Sequence, residues 1–298
     1  MKKALFLSIF LTITHFSNGQ GFSLLPADSI NKGRIVATSC AIGTVWTGTM
    51  IGLSAVWYKD VEKTNWHTFD DSRNWLQMDK VGHFYTAHKI NMLTSEHYMW
   101  SGINRKTSTL IGAGISFGYQ TTLEMLDAYS KEWGFSWTDF MSNLGGVGFY
   151  SAQQLIWEEE RIIPKFSFHQ TAYATMRPEI LGSNYLESLF KDYNGQTYWL
   201  SVNPSTFFNK SKLPEWLCLS FGYSVEGKII GDEEVAFHLD QPIYAKREFL
   251  FSLDVDFSRI PTKRRWQHVV LKQLNYLKIP FPSFVLSDGK IGFNPFYF

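Results

Sequence analysis

From residue 35 to residue 58, between Arg34 and Lys59, the chain carries no charge over 24 residues. A helix rises about 1.5 Å per residue, so a run of this length can cross a hydrocarbon layer of roughly 30 Å. Thr44, Gly48 and Gly52 recur every fourth residue, which puts small groups on one helix face and lets a second helix come close. Trp57 and Tyr58 suit a membrane interface, whereas Trp46 falls too near the middle of the run to anchor it. Two further uncharged stretches follow, at 107–123 with Gly114 and Gly118, and at 140–157 with Gly145, Gly146 and Gly148. Both are short or polar for membrane spans. The segment 81–103 is compatible with a helix, but its His83, His88, Lys89, Glu96 and His97 direct it toward other helices and water rather than lipid.

The chain opens "MKKALFLSIFLTITHFSNGQ": two lysines, an apolar core and a small, polar exit. That order predicts a secretory signal over residues 1–19 and a mature protein exported to the cell envelope, at the inner or the outer membrane. A lipid anchor would need a cysteine directly after the apolar core, and the first one is Cys40, so none is expected. Cys218 is the only other thiol, which permits one disulfide but no framework of them. Lys plus Arg number 28 against 27 Asp plus Glu, so no global field recruits nucleic acid. Membrane lipid is the expected partner, and an envelope protein partner is compatible with the same reading.

After "EEERIIPKFSFH", from Glu158, helical periodicity gives way to aromatic, turn-rich sequence. Residues 183–191 allow one short helix with Ser183 as its cap. Strand-like alternation shows in "WLCLSFGYSV", "EFLFSLDVDFS" and "GKIGFNPFYF", too few segments for a closed barrel. In "KRRWQHVVLKQLNYLKIP" the side chains of Trp266, Val270, Leu274 and Leu277 share one helical face behind Lys263, Arg264 and Arg265. That face is no wider than packing requires, which favours a helix on a small sheet over a membrane-surface helix. Phe296 and Phe298 match the closing strand of outer-membrane barrels in composition alone. The expected fold is therefore mainly α. A membrane-associated bundle of about four helices occupies 34–160 and precedes a small mixed α+β domain over 164–298.

Polar residues cluster in pairs near helix ends. Asp79 and His83 are four apart, with Lys80 between them, at the start of the second helical segment. Glu124 and Asp127 are three apart at the end of the third, and Asp139 and Asn143 four apart at the start of the fourth. Each pair falls on one helix face. Because a short connection makes neighbouring helices antiparallel, the tail of the third and the head of the fourth must meet, and the head of the second can reach the same end. Asp79 and Asp139 also suit first helical turns, with Ser136 or Thr138 capping the latter. Glu124 and Asp127 oppose the dipole of their own helix and need an offset, for which Lys80 is the candidate.

The segments "DKVGHF", the Glu and Asp of "TTLEMLDAYS", and "GFSWTDFMSNLGG" together resemble the YfiM-like family of predicted envelope proteins, whose function is unknown. A weaker likeness extends to VanZ-like membrane proteins, which share an Asp-Lys-x-x-His opening, a later Glu and an Asp-x-x-x-Asn-x-x-Gly helix. Those proteins are associated with resistance to a glycopeptide antibiotic. The likeness covers 79–148; this chain lacks the anchor cysteine and carries a long C-terminal part that the short family members do not have.

Two functional readings follow. In one, Asp79, Lys80, His83, Glu124, Asp127, Asp139 and Asn143 form a hydrogen-bonded network that fixes helix register in an envelope protein with a structural or assembly role. In the other, the same residues serve a metal-dependent envelope hydrolase or transferase acting on a lipid-linked or cell-wall substrate, with His83 as base or ligand and the carboxylates holding a divalent metal. No His-Glu-x-x-His, Cys-x-x-Cys, phosphate loop or dinucleotide fingerprint is present, which disfavours several common soluble-enzyme chemistries.

Overall fold

The structure, a computed structural model, describes residues 24–58, 61–208, 213–232, 235–238 and 241–297; the expected signal segment lies outside them. Helix α1 (Lys32–Trp57) is capped by the Asn31 side chain, which accepts from the Arg34 amide at 3.0 Å. Helices α2 (Met78–Trp100), α3 (Arg105–Ala128) and α4 (Trp137–Ile156) follow, the last two capped by Asn104 and Ser136. These three pack on one another through polar faces. Asn91 Nδ2 donates to the Val147 carbonyl at 3.1 Å and to Ser151 Oγ at 2.9 Å, and Ser116 Oγ donates to the Ala87 carbonyl at 2.7 Å.

Close approach is set by two glycines. A Cβ on Gly146 would lie 2.1 Å from the Phe84 carbonyl oxygen, and one on Gly112 would lie 2.2 Å from Ser95 Oγ. Gly48, Gly52 and Gly114 face open space, so no described helix uses the small-residue stripe of α1. Helix α1 is held instead by polar contacts and by Trp46, whose ring meets Tyr119 edge-on at 5.5 Å. Arg34 donates to the Leu25 and Trp100 carbonyls and stacks 4.3 Å over the Trp100 ring, and Tyr119 donates to Thr49 Oγ1 at 3.0 Å. Its Val36 and Ile51 stay exposed.

The remainder alternates short helices and strands: β1 (Ile162–Phe168), α5 (Tyr173–Met176), α6 (Pro178–Leu181), α7 (Tyr185–Lys191), β2 (Gln196–Val202), β3 (Leu217–Glu226), β4 (Val235–His238), β5 (Gln241–Tyr244), β6 (Lys246–Val255), α8 (Arg265–Leu274), β7 (Phe281–Ser287) and β8 (Lys290–Tyr297). Asn184, not Ser183, caps α7. Six strands form one antiparallel sheet in the order β1-β2-β3-β6-β7-β8, and β4 and β5 pair separately. The register lines up Ser201, Ser220, Ser252 and Ser283 across four strands, all of them buried. Beside this serine row, Lys165 Nζ meets Asp254 at 2.9 Å, both fully buried. The sheet curls far enough for Tyr297 on the last strand to meet Trp199 edge-on at 5.9 Å.

This architecture overturns the expected fold class. The second half is built on a six-stranded antiparallel sheet, and among the described residues one helix, over 32–55, is long and apolar enough to cross a membrane; the chain is not a membrane helical bundle. The polar faces of α2, α3 and α4 explain why three long helices lack the apolar content of spans. Strands β1, β2 and β7 escaped the pattern because Pro164 and Pro282 read as breakers and serines alternate there with aromatics. Pro164 is tolerated because β1 is an edge strand. Cys40 is exposed and Cys218 buried, and both are free thiols, so no disulfide joins them.

Candidate functional site

The site begins in a strained turn. Trp75, Leu76 and Gln77 adopt left-handed φ values of 52°, 50° and 67°, which side-chain-bearing residues rarely hold in succession. The rest of the chain pins them there: the Trp75 amide donates to the Gly231 carbonyl at 2.7 Å, Tyr223 donates to the Leu76 carbonyl, and Arg247 donates to Gln77 Oε1 at 2.8 Å. Buried Leu76 and Met78 pack against Val225. The turn aims the first residues of α2, Asp79 and Lys80, at the head of α4.

Lys80 is the hub of one half of the site. Its ammonium lies 2.5 Å from Asp71, 2.9 Å from Asp139 and 3.1 Å from Asp79, with 9% of its side chain exposed. Asp71 in turn accepts from Ser136 and Thr138, while Ser136 caps α4 by accepting the Asp139 amide at 3.1 Å. Tyr193, from the segment between α7 and β2, donates to Asp79 Oδ1 at 2.8 Å.

His83 is the hub of the other half. Its Nδ1 faces Asn143 Oδ1 at 3.2 Å and Glu124 Oε1 at 3.4 Å. Asn143 Oδ1 also accepts from Gln120 Nε2 at 2.8 Å, and Asn143 Nδ2 donates to Glu124 at 3.2 Å. The amide is thereby oriented with its oxygen toward the imidazole, so His83 Nδ1 carries a hydrogen and donates. On the other side, Nε2 has Asp79 at 3.7 Å and Asp139 at 4.0 Å, beyond hydrogen-bond distance. Asp79 and His83 keep about a quarter and a fifth of their side chains exposed, whereas Glu124 and Asp139 are buried.

The charges are crowded. Burial alone would depress His83, but Asp79, Asp139 and Glu124 hold it up to about 9, an imidazolium at neutral pH. Burial pushes Glu124 up to about 7, with His83 pulling it back and Asp127 and Asp79 adding to the rise. Burial likewise lifts Asp139 above the usual carboxylate range, and the Asp79 charge adds to this. Asp79 itself stays low despite its burial, because His83 and Lys80 favour its ionised form.

Of the seven residues singled out in the sequence, six meet here: Asp79, Lys80, His83, Glu124, Asp139 and Asn143. Asp127 instead accepts from Tyr58, just past the end of α1, and burial pushes it up to about 6. Contrary to the sequence expectation, Lys80 is not the offset for Glu124 and Asp127; it serves the three aspartates, and His83 and Asn143 serve Glu124. Asp71, Gln120 and Tyr193 were not foreseen. Gln120 lies one turn before Glu124 on the same face and was open to the same spacing argument. Asp71 and Tyr193 belong to loops and offered no periodic signal.

Asp79, His83 and Asp139 present ligand atoms within 4.8 Å of one another, close enough to hold a metal ion. The Lys80 ammonium, 3.1 Å from Asp79 and 2.9 Å from Asp139, already supplies a cation to both aspartates and opposes that use. The arrangement is chemically suited to holding and releasing protons: an imidazolium with one open N–H, backed by a buried carboxyl that titrates near neutrality.

No curated protein and no solved structure matches the chain. Residues 65–153, which contain the whole helical part of the site, match the model of a family described as "Predicted periplasmic lipoprotein (DUF2279)". The match carries the envelope reading and not the YfiM-like or VanZ-like names. Together with the apolar helix near its start, it makes this chain an exported, membrane-associated protein of the cell envelope, of a kind whose function is uncharacterised.

Proposed function

We propose that this envelope protein is an acid–base enzyme, a hydrolase or transferase, in which His83 gives its Nε2 proton to a leaving group and takes one back at the same nitrogen from the incoming water or acceptor hydroxyl, while buried Glu124, on the Nδ1 side, tunes its proton affinity. The observation that carries this reading is the position of His83: Nδ1 is held by Asn143 and Glu124, while Nε2 faces the partly open side with no hydrogen-bond acceptor in reach. Packing Glu124, Asp139 and Asp79 round one imidazole crowds like charges, Asp79 raising the proton affinity of both Glu124 and Asp139, an arrangement typical of sites that move protons. Lys80 and Asp71 are positioning residues in this scheme, tying the start of α2 to the start of α4. Lipid-linked or cell-wall molecules are the substrate class, because the protein works in the envelope and the site offers proton transfer rather than redox or phosphate-loop chemistry.

The reading is tested by incubating the full-length purified protein with extracted lipid-linked and cell-wall material and following released products by mass spectrometry. Release by the wild type, retained in EDTA and lost in His83→Gln, is the expected result. Loss in EDTA would replace the acid–base scheme with a metal one. Equal release by wild type and variant, or none by either, would reject catalysis at this site.

A further inference from the structure

The large sheet is inside out for a protein surrounded by water. Its buried face carries the serine row and the Lys165–Asp254 pair, whereas its outer face is apolar and aromatic. Cross-strand register aligns Leu200, Phe221, Phe251, Phe284 and Phe293 into one outer row spanning β2, β3, β6, β7 and β8. These five side chains are between 40% and 62% exposed. The next row runs Phe249, Leu286 and Ile291, 53%, 44% and 75% exposed, while its β3 member Tyr223 is covered by the Leu76 turn. Rings stack along the rows rather than inward: Phe221 on Phe251 at 5.4 Å and Phe284 on Phe293 at 5.4 Å. An antiparallel sheet with one wet face normally turns its serines to water and its phenylalanines to the core. The reverse pattern is the one found where the outside is hydrocarbon.

We infer that the outer face of β3, β6, β7 and β8 lies against the acyl chains of an envelope bilayer. Four features of the structure fit this occupant. In the centre of the sheet, over Leu219–Tyr223, Glu248–Ser252 and Ser283–Ser287, the strands are paired on both sides, so the central rows present little unpaired backbone to hydrocarbon. β3 and β6 are 10 residues long, or roughly 33 Å at about 3.3 Å per residue, enough for a tilted strand to cross an apolar band. The band is bounded by cations suited to anionic headgroups: Lys246 and Lys290 at one end of the strands, where Arg247 is tied to Gln77, and Lys263, Arg264 and Arg265 past the far end of β6. Lys246 shares its end with Asp288 at 3.7 Å, and the outer rows hold no charge before Arg247. Finally, α8 does not bury its apolar stripe on the sheet as its sequence suggested. Trp266, Val270 and Leu274 are 52%, 53% and 40% exposed, directly behind the three basic residues, which is the make-up of a helix lying in a membrane interface.

Helix α1 can hold the chain to a membrane by itself, so fractionation does not test this inference. Two position-specific measurements do. In a Cys40→Ser, Cys218→Ser background, Phe251→Cys and Phe284→Cys are labelled with an environment-sensitive fluorophore. Each protein is reconstituted in phosphatidylethanolamine–phosphatidylglycerol vesicles with and without bromine on the acyl chains. Both labels are expected to lose most of their emission in the brominated vesicles. In parallel, the unmodified wild type in vesicles containing an acyl-chain diazirine is irradiated and mapped by mass spectrometry, with adducts expected on the Phe251, Phe284 and Phe293 side chains and none on Ser252 or Ser220. Absence of both quenching and adducts would overturn the inference. So would protection of these positions by cross-linking to a second copy, which would make the face a protein interface.

Discussion

Replacing Lys80 by methionine keeps the length of the side chain and removes the charge that three carboxylates share. The ammonium lies 2.5 Å from Asp71, 2.9 Å from Asp139 and 3.1 Å from Asp79, and its side chain is 9% exposed. Breaking a buried ion pair by deleting one partner typically costs about 3 to 5 kcal/mol, because the remaining charge is left in a poorly solvated place. Here three acids lose one cation, and His83 is the nearest charge left to compensate. Without Lys80 the folded-state carboxyls rise above their unfolded values. Their penalty is fully present above the folded pKa and relieved as pH falls through it. Lys80→Met should therefore lose about 3 to 5 kcal/mol at about pH 8 and recover much of it near about pH 5. Urea denaturation in mild detergent, followed by tryptophan fluorescence across that range, measures the difference. A loss below about 1 kcal/mol, or one independent of pH, would mean that the cluster behaves as an exposed ion pair and that its burial has no energetic consequence.

Three further outcomes follow from the same geometry. Gly146→Ala drives a methyl into the Phe84 carbonyl and should destabilise by about 1 to 3 kcal/mol, whereas Gly148→Ala, with nothing within 4 Å, should stabilise by up to about 1 kcal/mol; thermal melts of both variants check the pair. His83 is raised from 6.5 to about 9 on folding, worth about 3 kcal/mol at about 1.4 kcal/mol per unit. That stability is complete below about 6.5 and lost as pH climbs through about 9, so the difference between wild type and His83→Gln should shrink by that amount over this window in denaturation curves. Asn143→Ala removes the partner of Gln120, Glu124 and His83 at once and should cost about 1 to 3 kcal/mol, read by urea midpoint.

Much of the site's framework was legible because helices repeat. Four-residue spacing put Asp79 with His83 and Asp139 with Asn143, and the short link between α3 and α4 brought Glu124 to the same end. The parts that periodicity does not govern were not legible. Asp71 reaches Lys80 only because the chain turns back through three left-handed residues, and Tyr193 arrives from 114 positions away. Asp127 is one turn from Glu124, yet its hydroxyl partner Tyr58 comes from the end of α1, a contact set by how α1 lies along the other helices. Half of the large sheet was legible, since β3, β6 and β8 alternate as strands do. Strands β1 and β7 were masked by Pro164 and Pro282, and β2 by a polar start, so the number of strands was underestimated.

The acid–base centre requires a charged His83 at neutral pH. The direct measurement is a histidine-selective carbon–proton NMR titration of the full-length protein, with His83→Gln identifying the resonance. The predicted midpoint is about 9, with a second inflection from Glu124 near about 7 on the same signal. A midpoint at or below 6.5 would mean that Asp79, Asp139 and Glu124 do not hold a proton on the ring, and the acid–base centre would have to be abandoned.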